Sequence, residues 1–105
     1  MRLMLTLGDI LAGARAATPA FERWLETASP ELADQVRAAA EAEGETPARF
    51  ARSAVAAFDR DADFQAWTRL TGRLHAAADP GLVCLEEMVR WRLATSRAER
   101  LEEAR

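Results

Sequence analysis

The chain has 105 residues and a net charge of -3, which fits one domain and argues against a generic binder of polyanions. Half the residues are hydrophobic, but 24 are Ala and only 28 (Leu, Val, Ile, Met, Phe, Trp and Cys) carry bulk. One modest core is therefore expected, a large enclosed substrate cavity is not, and no apolar run approaches the ~20 residues of a membrane span.

Helix is the expected state from end to end. Ala is the best helix former, and Val plus Ile total only five. Each of the four prolines follows a side chain able to cap a helix: Thr18-Pro19, Ser29-Pro30, Thr46-Pro47 and Asp79-Pro80. In such a pair the oxygen accepts an orphan amide hydrogen, and proline occupies the first helical position, where its missing donor costs nothing.

These starts predict six segments. Leu3, Leu7, Ile10, Leu11 and Ala14 face inward on a first helix ending near Ala17. Phe21, Trp24, Leu25 and Ala28 form the stripe of a short helix after Pro19. Pro30 opens a third, with Leu32, Val36, Ala39 and Ala40 inward and a stop at Gly44. Pro47 opens a fourth, carrying Phe50, Ala51, Ala54, Val55 and Phe58. Asp61 or Asp63 caps a fifth, whose stripe is Phe64, Trp67, Leu70, Thr71 and Leu74. Pro80 opens the last, where Leu82, Val83, Cys84, Leu85, Met88, Val89, Trp91 and Leu93 cover most of the circumference, as expected of a central buried helix. The expected fold is all-α: a compact bundle of five or six short helices with a central C-terminal helix. It forms a single domain over 1–93, with a charged, frayed helical tail at 94–105. Alternation at Leu3, Leu5 and Leu7, and at Phe21, Arg23 and Leu25, is the only strand-like spacing.

Candidate chemistry is sparse. His75 is the only histidine and reads as a solvent-facing or capping residue, since no C-x-x-C or H-x-x-x-H spacing accompanies it. Cys84 sits in an apolar segment, where its thiol would stay protonated and inert. The pairs Glu86-Glu87 and Glu102-Glu103 diverge by ~100° around a helix and read as solvated faces. There is no glycine-rich phosphate loop and no nucleophile–base set, so neither an enzyme nor a cofactor is expected.

Charge and aromatics point to a partner instead. Residues 1–45 carry four Arg against eight acids, whereas residues 46–78 carry five Arg against three. Within that basic stretch Arg49, Arg52, Arg69 and Arg73 are candidate contacts to an acidic partner. Trp24, on a short acid-flanked helix, is the candidate aromatic anchor, and Trp67 and Trp91 read as core. The apolar start ahead of Asp9 is too short for a signal peptide, and a lone cysteine suits a reducing compartment, so a cytoplasmic protein is expected.

Residues 30–58 carry a further pattern. Pro30, Glu31, Leu32 and Val36 lead to a Gly44 stop, a Thr46 cap, then Phe50, Arg52, Ala54, Val55 and a closing Phe58. This stretch resembles the helix pair of ribbon-helix-helix regulators of the Arc/CopG type. The resemblance implies an intertwined dimer whose paired strands, at about Arg23 to Ser29 here, read the DNA major groove while the second helix's N-terminus meets phosphate. Arg23, Thr27, Arg49 and Arg52 would then be the DNA contacts. The residues themselves favour a non-catalytic helical interaction or accessory protein with a protein partner, self-association being open. A dimeric DNA-binding regulator or antitoxin is the alternative that the resemblance implies.

Overall fold

The structure, a computed structural model, describes residues 7–104. Five helices follow in order: α1 (Leu7–Ala28), α2 (Pro30–Ala42), α3 (Pro47–Asp61), α4 (Phe64–Leu74) and α5 (Pro80–Glu103). The all-α expectation holds, with no strand among the described residues. None of these helices is long and apolar enough to cross a membrane. Leu3 and Leu5 lie outside the described residues.

Local signals account for most helix boundaries. The Thr46 hydroxyl accepts the Arg49 amide at 3.1 Å, Asp63 accepts Ala66 at 2.8 Å, and Asp79 accepts Leu82 at 3.4 Å. Gly44 takes the left-handed conformation, φ +68°, that ends α2. Ser29 departs from the pattern, because its side chain makes no cap bond. Its backbone instead carries the chain almost without a break from α1 into α2, receiving at the carbonyl from Ala33 and donating from the amide to Leu25.

The first two expected helices are one. Pro19 lies inside α1, and Thr18 does not cap a new helix; its hydroxyl, buried, donates back to the Ala14 carbonyl at 3.4 Å. The reason is the burial register. Leu11, Ala14, Thr18, Phe21 and Leu25 are all buried and follow at alternating steps of three and four, so one face runs through the proline. Burying Phe21 and Leu25 in that register, at roughly 1.5–3 kcal/mol each, offsets the ~3 kcal/mol that an interior proline costs.

That continuity also overturns the ribbon-helix-helix resemblance. The family needs a strand where this chain has the last two turns of α1, with Phe21 and Leu25 buried at helical spacing. A strand there would set Arg23 on the same face as Phe21 and Leu25, whereas those two are buried and Arg23 is exposed.

Around α5 the other helices assemble: α1, α3, α4 and α2 all pack on it. Its Leu82, Cys84, Leu85, Met88 and Val89 are buried, as are Phe50, Val55 and Phe58 of α3. At one crossing α1 and α5 approach so closely that a Cβ on Gly81 would lie 2.9 Å from the Gly13 carbonyl oxygen. Three stripe positions were misplaced by periodicity. Phe64 is 84% exposed, and Ala28 and Thr71 are exposed as well. Each sits at or beyond the rim of a helix face, where no neighbouring element reaches. Beyond Leu93 the helix of α5 continues to Glu103 and its surface opens, with Leu101 64% exposed.

Candidate functional site

The α4–α5 flank gathers the most chemistry. Arg73 on α4 donates to Glu87 at 2.7 Å and to Glu86 at 3.1 Å, and Arg90 donates to Glu86 from one turn further along α5. Glu86 is only 8% exposed. Reading Glu86-Glu87 as a solvated face was therefore wrong: both carboxylates are drawn under α4 by arginines that neutralise them. Hydrogen bonding to Glu87 is the main influence holding the Arg73 pKa above its ordinary value, against the opposing effect of burial.

One turn toward the start of α4, Arg69 faces an open groove of about 550 Å³ whose other walls are Glu87, Arg90, Trp91, Ala94, Thr95 and Ala98 of α5. The helices thus run antiparallel and separate beyond Trp91. Trp91 is half-buried and edge-on to Phe58, centroids 5.3 Å apart, while Trp67 meets the same ring from α4 at 4.8 Å. Phe58 holds both indoles in place, and Trp91 keeps a face toward the groove. Arg69 is exposed and forms no ion pair among the described residues.

The other expected contacts are dispersed. Trp24 is half-buried on α1 and stacks on Phe21 at 6.2 Å. Arg23 and Thr27 are exposed on α1, and Arg49 and Arg52 are exposed in the first turns of α3. Arg73, counted among the free cations, is consumed inside the chain.

Three charged groups were missed. Arg37 on α2 pairs with Glu22, Glu26 and Asp34, tying α2 to α1. Arg92 reaches Glu43 at 3.0 Å and lies over the Phe50 ring, 5.1 Å from its centroid. Of the third, Glu86, the i,i+4 spacing to Arg90 was a visible signal; the long-range partners had none. His75 is exposed at the C-terminal cap of α4. Cys84 is 2% exposed, donates weakly to the Ile10 carbonyl at 3.8 Å, and burial pushes its thiol up to about 11. Among the described residues no three His, Cys, Asp or Glu side chains converge as metal ligands.

Compared with known proteins, the chain matches no family, no curated protein and no solved structure.

Proposed function

We propose that this chain is a non-catalytic helical module of the cytoplasm that binds a protein partner along the α4–α5 groove. The observation that carries this reading is Trp91, packed T-shaped on Phe58 and facing an open groove beside Arg69, which is exposed and has no ion-pair partner among the described residues. An aromatic already fixed by its own core loses little freedom on binding, and tryptophan and arginine are the residues that dominate interface energies. Ala94 and Ala98 on the groove floor let a partner backbone approach closely. The inert, buried thiol suits a reducing compartment.

A photo-crosslinking residue at Ala98 tests this, with Ala94→Arg as the blocked control. The expected result is a discrete protein adduct at Ala98 that Ala94→Arg abolishes while the circular dichroism spectrum stays helical. An adduct pattern indifferent to Ala94→Arg overturns the groove as the binding surface.

A further inference from the structure

We propose that the occupant of the α4–α5 groove is a second copy of this chain, its outer α5 turns laid antiparallel against the same turns of the first. The proposal rests on the reading of that groove as a docking surface and adds the identity and orientation of what docks.

On α5, Trp91, Ala94, Ala98 and Leu101 follow at steps of three, four and three, the spacing of a two-helix seam. The first member is half-buried; Ala94, Ala98 and Leu101 are exposed, and among the described residues Leu101 is one of the two exposed large apolar side chains. The seam is complementary to itself when reversed. Sliding two copies antiparallel sets Trp91 of one against Leu101 of the other and Ala94 against Ala98, and a two-fold axis repeats both contacts. The large residues then cap the ends while the alanines meet in the middle, where close helix approach is needed.

Charge selects this orientation. Arg69 lies level with Trp91 and has no ion-pair partner among the described residues. Antiparallel pairing brings Leu101 of the second copy to Trp91, and with it the adjoining Glu102, which is exposed and has no ion-pair partner among the described residues, toward Arg69. Parallel pairing would keep Glu102 about 16 Å further along the helix and leave both charges unmatched. The two Arg97 side chains fall on the opposite, solvated rim, where like charges can diverge. Two heptads alone make a short seam, so a concentration-dependent dimer is expected rather than a permanent one.

Sedimentation equilibrium on the full chain provides the test. Wild type should move from monomer to dimer as its concentration rises to the order of 100 micromolar. Leu101→Glu should stay monomeric with an unchanged helical spectrum. Arg69→Glu and Glu102→Arg should each weaken the dimer, by up to about fivefold for each of the two symmetry-related pairs, and the double reversal should restore it. With Cys84→Ser as background, an oxidised equimolar mixture of Ala94→Cys and Ala98→Cys should give the mixed disulfide, and neither variant alone should give its own dimer. A monomer throughout that range, self-disulfides of the single variants, or no recovery in the double reversal would each overturn the proposal. A wild-type monomer that still gives the Ala98 adduct sinks self-docking alone; loss of that adduct as well sinks the groove reading.

Discussion

The Arg73 guanidinium reaches from α4 to the Glu87 carboxylate on α5 at 2.7 Å, and its second nitrogen meets the nearly buried Glu86 at 3.1 Å. Arg73→Ala leaves Glu86 with Arg90 alone and removes the ion-pair partner of Glu87. The pair lies between the surface limit of under ~1 kcal/mol and the 3–5 kcal/mol of a fully buried pair, so a loss of about 2 kcal/mol is expected. Thermal unfolding followed by circular dichroism checks it; a variant melting with wild type would show that the pair contributes nothing.

Gly81 and Gly72 form a matched pair. A methyl on Gly81 meets the Gly13 carbonyl oxygen at 2.9 Å, whereas one on Gly72 meets nothing within 4 Å. Helix propensity favours Ala at both by up to ~1 kcal/mol, and overpacking against backbone costs ~1–3 kcal/mol. Gly72→Ala should therefore raise the melting temperature and Gly81→Ala lower it. Equal responses would mean that α1 and α5 do not cross at Gly13 and Gly81.

Pro19→Ala should stabilise the protein by roughly 1–2 kcal/mol. The substitution supplies the amide that the Arg15 carbonyl lacks, and the entropy gained by the unfolded chain subtracts only part of that. A lower melting temperature would indicate two helices meeting at Pro19 instead of one running through it.

Trp91→Ala should cost about 2–3 kcal/mol, below the 3–5 of a fully enclosed aromatic, because one face of the indole is open while its edge packs on Phe58. Trp91→Phe should recover most of it. Urea unfolding of the three proteins measures this, and an alanine variant as stable as wild type would place Trp91 outside the core.

Cys84 offers a clean titration, since the sequence contains no Lys or Tyr. Burial raises the folded thiol to about 11 from an ordinary 9.0. The folded state therefore holds its proton more tightly than the unfolded state, and its stability is full below pH 9 and declines as pH climbs toward 11. Cys84→Ala should flatten that decline. In the native protein at pH 8 the thiol should resist alkylation until denaturant is added, and rapid native labelling would contradict the burial.

Helix content, three of the side-chain caps, the Gly44 stop and the inward face of α3 could be read from the chain because each depends on residues within one or two turns. The central place of α5 was legible for a related reason: apolar residues around most of a helix need neighbours on several sides. Pro19 was not readable this way. Thr18-Pro19 is a sound local start signal, and only burial of Phe21 and Leu25 against other helices outweighs it. Glu86, Arg73, Arg37 and Arg92 look like surface charges in sequence because the partners that tie them to other helices lie 11 to 49 residues away. Tertiary packing decided which arginines are neutralised across helices and which, like Arg69, have no ion-pair partner among the described residues. Coulomb energy depends on distance in space, and sequence separation carries that distance only along a single helix.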